Sequence, residues 1–192
     1  LAGEYPNPGP STARTLPAES GTIYLFVDGL RYDVARRLAL RIVDLGFECS
    51  ESHEWAALPS VTATSKPAWE PLASELTSGR NKAAFGTDEK DSAKELTAER
   101  FRARLPRLGF CAAVSGEIAD VANCAWSEVG CLDRMGHDEG ARLAWRVDEE
   151  IHTIANKVRE LLNAGWMKVR VLTDHGWLLL PGGLPKVDLP MH

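Results

Sequence analysis

No hydrophobic run in this chain is longer than a strand, which leaves no segment to serve as a membrane-spanning helix. Positive charge is in deficit. With 22 Lys and Arg against 27 Asp and Glu the net charge is −5, which excludes a domain whose whole surface binds nucleic acid electrostatically. A nucleic-acid substrate stays compatible with that charge, because metal ions supply local positive charge in an acidic cleft. The four cysteines, Cys49, Cys111, Cys124 and Cys131, lack CxxC spacing. Without a secretory signal they read as reduced and partly buried rather than as a disulfide framework. Leu1 to Ser20 lacks the apolar core of a signal peptide and is rich in Pro, Gly, Ser and Thr, so residues 1–20 are expected to be a linker and the cytoplasm the compartment. No internal repeat or further low-complexity segment is present. What remains is a chain of 192 residues, 44% hydrophobic and 26% charged, in the range of one globular domain over residues 21–192.

Two apolar runs end in acids: Thr22 to Val27 leads into Asp28-Gly29, and Val169 to Thr173 leads into Asp174-His175-Gly176. Each reads as a buried strand. Leu30 to Leu45 carries Val34, Leu38, Ile42 and Leu45 at helical spacing, with Arg36, Arg37 and Arg41 on its solvated face, and Gly46 closes it. The pattern further predicts a polar strand within Phe47 to Ala57, a turn at Leu58-Pro59-Ser60, a helix over Thr62 to Leu76 with Pro67 in its early part, and a mobile surface loop over Thr77 to Ala98. A short helix is expected at Glu99 to Leu105 and a core strand at Gly109 to Val114. A long helix is expected at Glu139 to Leu162, with Ala141, Trp145, Asp148, Ile151, Ala155, Val158 and Leu162 near one face. This alternation predicts an α/β fold, a three-layer sandwich around a mostly parallel sheet. In such sheets ligands gather outside the carboxyl ends of the strands, where acids from distant parts of the chain converge.

Asp174 and His175, adjacent at a strand end, can both turn toward one ion, although Asp and Gly are also the ordinary residues of a strand-end turn. Asp28 reads as a metal ligand, as a cap for the helix that follows, or as the nucleophile of a haloacid-dehalogenase-type phosphatase. Such enzymes normally carry a second acid two residues on, where this chain has Leu30. Asp133 and His137 are four apart, a spacing that puts two ligands on one helical face or on one side of a tight loop. Gly136 and Gly140 favour the loop, and a plain polar turn is the alternative. Ser60, Thr62, Thr64 and Ser65 offer hydroxyls where a helix opens. There the helix dipole stabilises a phosphoryl oxygen or an alkoxide, and plain capping by Ser60 or Thr62 is the alternative. Lys66 and Arg31 are the cations best placed to steer a phosphate, with solvated surface charge the plainer reading of each. The tryptophans read as core or interface, except that Trp177 beside Asp174-His175-Gly176 is placed to stack on a base.

In combination and in this order, Val27-Asp-Gly-Leu-Arg31, Pro59-Ser-Val-Thr62, Asp133-Arg-Met-Gly-His137 and Asp174-His-Gly176 resemble the motifs of the alkaline phosphatase superfamily, especially its nucleotide pyrophosphatase/phosphodiesterase branch. Within it the chain is most similar to the PglZ domain, through VDGLRYDVARRL at 27–38, ALPSVTATS at 57–65 and LTDHGWLLLPGGLPK at 172–186. The resemblance spans residues 22–192. It implies an alkaline-phosphatase-like fold and a metal-dependent phosphoesterase, preferably a phosphodiesterase acting on nucleic acid or nucleotides, with two divalent ions: zinc, or alternatively manganese or magnesium. It also implies a place in bacterial phage defence of the phage-growth-limitation and BREX types, with other defence proteins as partners. Asp28, Asp174 and His175 with the oxygen of Thr62 would form one metal site, and Asp133, His137 and a third histidine the other. Thr62 would be the nucleophile. Downstream of Asp174-His175-Gly176 the third histidine is His192, the last residue, which suits a piece of a longer chain. A phosphomonoesterase, or a metal-binding interaction module of a defence complex with weak catalysis, is the alternative function.

Overall fold

The computed structural model describes residues 16–53, 56, 60–69, 75–78, 86–112 and 121–178. The first apolar run forms β1 (Thr22–Phe26), buried along its whole length. Its side chains divide by alternation: Ile23, Leu25 and then Val27 enter one core, while Tyr24 and Phe26 enter another on the opposite face. The other strands of this sheet are β4 (Phe110–Ala112), β5 (Cys124–Glu128) and β6 (Lys168–Leu172). They lie in the order β4-β5-β1-β6, and every pairing is parallel. The central strand thus has β5 on one side, with Phe26 opposite Glu128, and β6 on the other, with Phe26 opposite Leu172.

Helices α1 (Tyr32–Asp44), α4 (Leu132–Glu139) and α5 (Leu143–Asn163) cover one face. Val34, Leu38 and Ile42 of α1 meet Leu132 of α4 and Val147, Ile154 and Leu161 of α5 over Ile23 and Leu25. Beyond the C-terminus of α1, Gly46 takes the left-handed conformation (φ +89°) that ends helices cleanly. On the opposite face, α3 (Ala98–Arg104) and the 3-10 turn Leu105–Leu108 deliver Phe101 and Leu105 onto Tyr24, Phe26, Phe110 and Trp126. The Thr97 hydroxyl caps α3 by accepting the Arg100 N–H at 3.3 Å. The result is an α/β fold, a four-stranded parallel sheet between two layers. The remaining elements are α2 (Thr62–Trp69) and an antiparallel pair, β2 (Leu76–Ser78) and β3 (Thr87–Glu89). Among the described residues no helix is long and apolar enough to cross a membrane.

Several expectations need correction. The segment ending at residue 20 is no linker in its last part: Leu16 is buried in the second core, and the Pro17 carbonyl accepts the Tyr24 hydroxyl at 2.8 Å. No strand forms over 47–53. The stretch 77–98, expected as a loop, contains most of the β2–β3 pair. A carboxylate makes this possible, since buried Glu89 pairs with Arg100 at 3.1 Å and Arg104 at 2.9 Å and so satisfies a charge that hydropathy treats as surface. Strand β5 was not anticipated, because its polar residue Ser127 is buried with its neighbours and breaks the apolar run without marking an exposed face. The Glu139 to Leu162 helix divides at Gly140: α4 ends there, a 3-10 turn spans Gly140–Arg142, and α5 starts at Leu143 with a new phase. Within α5, Trp145, expected on the packed face, lies on the opposite side and is 84% exposed, while Leu143, Val147 and Ile154 face the core. All four cysteines are free thiols.

Candidate functional site

The parallel sheet brings the exits of β1 and β6 side by side, and two residues outside the expected metal motif fasten them. Thr173 accepts the Leu30 N–H on its hydroxyl oxygen at 3.0 Å and donates to the His175 carbonyl at 3.3 Å. The Trp177 indole donates to the Gly29 carbonyl at 2.9 Å. Gly29 itself takes φ +69°, and α4 starts hard against it. A side chain there would bring a Cβ within 3.1 Å of the Asp133 Cβ and 3.3 Å of its Cα. That close approach sets Asp133 beside Asp28.

Around this junction the predicted residues sort themselves clearly. His175 Nε2 lies 2.8 Å from the Thr62 hydroxyl, 3.4 Å from Asp28 Oδ1, 3.8 Å from Asp174 Oδ2 and 4.0 Å from Asp133 Oδ1. Thr62 Oγ1 is also 3.3 Å from Asp28 Oδ1. The other imidazole nitrogen, Nδ1, is 3.0 Å from the Gly176 carbonyl, an acceptor that assigns the proton to Nδ1 and leaves the Nε2 lone pair facing the cluster. One donor atom each from Asp28, Asp174 and His175 falls within a 4.8 Å span. Asp174 is fully buried at its side chain; Oδ1 accepts the His175 N–H at 3.0 Å, and Oδ2 is buried with no hydrogen-bond partner.

Electrostatics match the crowding of acids. Burial, reinforced by Asp174 and Asp133, pushes the Asp28 carboxyl up to about 6, against the opposing fields of His175 and Lys66. Burial likewise raises Asp174, with His175 opposing. Two carboxylates and an imidazole lone pair around an unsatisfied buried oxygen are the donor set of a divalent ion such as zinc or manganese, and these residues fit one.

Other expectations fare differently. Asp133 and His137 sit on helix α4, not on a loop, because Leu132 and Met135 anchor that turn in the core despite Gly136. His137 is 80% exposed at its side chain and, among the described residues, meets the cluster through Asp133, at 3.4 Å. Arg31 is committed elsewhere. Its guanidinium grips Asp33 with two bonds of 2.5 and 2.6 Å and stacks 3.9 Å over the Trp177 ring, which covers a face expected to be open to a base. Lys66 reaches the site's edge, 3.0 Å from Glu128 Oε2 and 4.6 Å over the Phe26 ring. Glu128 appears in no motif, and only the register of β5 against β1 reveals it. His192 lies outside the described residues. No protein-family model matches the chain, and neither does any curated protein or solved structure.

Proposed function

We propose that this chain is a metal-dependent phosphoesterase domain of alkaline-phosphatase type, related to PglZ domains, with Thr62 as nucleophile and Asp28, Asp174 and His175 as ligands of one divalent ion. The observation that carries the reading is the meeting of Thr62 Oγ1 with His175 Nε2 and Asp28 Oδ1, at 2.8 and 3.3 Å, beside the unpartnered Asp174 Oδ2. A divalent ion bound there supplies the charge that lowers a hydroxyl's pKa and neutralises phosphoryl oxygens. The chain's own residues do the positioning. Thr62 is the first residue of α2, so its hydroxyl sits at the positive end of a helix dipole, where an attacking alkoxide is stabilised. The Nδ1–H bond to Gly176 holds the His175 ring, while Thr173 and Trp177 hold the two strand exits in register. The Thr62 hydroxyl has two acceptors within reach, the His175 Nε2 lone pair at 2.8 Å and Asp28 Oδ1 at 3.3 Å.

Against the dehalogenase-type alternative stands Leu30, an apolar and buried residue at the position of the second acid. Asp133 and His137 are the residues that the family resemblance gives to a second ion. The same resemblance supports a phosphodiester of nucleic acid or nucleotide type as substrate, other phage-defence proteins as partners and an alkaline-phosphatase-like extension of the fold. One observation favours a second reading, a metal-dependent interaction module: the solvent-facing His137 leaves a single three-residue cluster among the described residues.

Chelator-stripped protein titrated with zinc, manganese and magnesium decides between them, with bis-p-nitrophenyl phosphate and p-nitrophenyl phosphate as substrates. Metal-dependent release that favours the diester is expected. Thr62→Ala should lose it by about a thousandfold or more while keeping the metal-dependent rise in melting temperature, and Asp174→Ala should lose both. A melting-temperature rise without turnover supports the interaction module. Turnover undiminished in Thr62→Ala overturns the nucleophile assignment.

A further inference from the structure

Lys66 follows Thr62 by one helical turn, so both side chains leave α2 on the same face. Its ammonium lies against the Phe26 ring, two residues before Asp28, and is held by one carboxylate oxygen, Glu128 Oε2, at 3.0 Å. The other oxygen, Glu128 Oε1, accepts the Trp126 indole N–H at 3.3 Å. Glu128 is thus gripped from two sides at the end of β5, next to the exit of β1, yet its side chain is half-exposed. The contrast with Arg31 is instructive, because that guanidinium is doubly bonded to its own carboxylate and faces away onto Trp177. A phosphate group that reaches Thr62 therefore meets an ammonium whose carboxylate partner among the described residues is Glu128 alone, together with the negative charge of that partner.

The two classes of ester feel this charge unequally. A phosphodiester carries one negative charge, whereas a monoester carries close to two at neutral pH, its second pKa being about 6. Glu128 sets a negative charge against the Lys66 ammonium, and because its field opposes each substrate charge, its own penalty on a monoester is about twice that on a diester. On the phosphoesterase reading above, we propose that Glu128 is a specificity-determining residue: it parks Lys66 beside the nucleophile and, by its own charge, selects the monoanionic phosphodiester over the dianionic monoester.

Glu128→Gln keeps the shape and the acceptor for Trp126 while removing the charge. In metal-loaded protein it should raise the ratio of monoester to diester kcat/KM about tenfold, the effect of one charge at short range near a protein surface. The wild-type preference should also weaken as ionic strength rises. Glu128→Ala, which loses the contacts as well as the charge, must shift the ratio in the same direction; opposite shifts, or an unchanged ratio in both variants, overturn the proposal. Calorimetric binding of phenyl phosphate and diphenyl phosphate to metal-loaded Thr62→Ala, with and without Glu128→Gln, reads the same selection without turnover. Catalysis with unshifted ratios sinks the specificity role and leaves the enzyme. A shifted binding ratio in a protein that turns neither ester over sinks the enzyme and leaves the selection.

Discussion

Asp174 holds one oxygen on the His175 N–H and the other in a buried position with no donor. An unsatisfied buried acceptor costs roughly 1–3 kcal/mol, and more when charged. Asp174→Asn is therefore expected to raise the melting temperature of chelator-stripped protein and to remove the gain that zinc gives the wild type; thermal unfolding with and without metal checks both. A variant less stable in either condition would mean that Asp174 braces the fold rather than serving an ion. Asp28 makes a pH-dependent counterpart. Its folded-state carboxyl is raised to about 6 from an ordinary 3.8, chiefly by burial, so the folded chain binds that proton more tightly than the unfolded chain. Stability then falls as pH rises from about 4 to about 6, the reverse of a salt-bridged carboxylate. Asp33 and Asp91, held down by Arg31 and Arg104, act in that opposite sense, gaining stability above the unfolded value and losing it as pH falls. The test is consequently a difference: denaturant unfolding of metal-free wild type against Asp28→Asn, whose stability gap should move against the wild type between pH 4 and pH 7.

Elements meet at this site through small residues and shared phase. Gly29→Ala adds a Cβ at 3.1 Å from Asp133 in a left-handed conformation, so it should cost about 1–3 kcal/mol and push the first turn of α4 away from Asp28. Unfolding midpoints read the first effect and metal affinity the second. On α5, Ile154→Ala is expected to cost about 2–5 kcal/mol, whereas Trp145→Gln should stay within about 0.5 kcal/mol despite the larger side chain lost, because only Ile154 is buried. That pair of residues also marks how far sequence reasoning reaches. Val34, Leu38 and Ile42 repeat without interruption and reveal the packed face of α1, whereas on α5 the helical step sets Trp145 about 180° from Ile154, on the solvent side. Asp28, Thr62, Asp174 and His175 were legible because strand-end acids and a helix-opening hydroxyl have local signatures. Glu128, Thr173 and the indole bond of Trp177 were not, since each acts across a strand register or a chain separation of up to 148 residues.

At the level of the molecule, β6 terminates the sheet order β4-β5-β1-β6 among the described residues, and its residues are exposed or partly so. An ion shared between Asp28 and the Asp174-His175 pair would tie this edge to the central strand. Metal loading should therefore slow hydrogen exchange of the Lys168–Leu172 amides more than that of the α5 amides, and equal slowing of both would indicate a purely global effect. Pairing of β1 with β6 has a further consequence for how the protein is made. Leu30 and Thr173, which seal the two strands together, are 143 residues apart. On a ribosome β1 emerges well before β6, and the edge that β6 will occupy waits while the residues between them are made. Throughout that interval the most apolar strand of the sheet presents an open backbone to any neighbouring nascent chain, so slow translation, crowding on polysomes or truncation before Leu172 all leave the same template for aggregation exposed.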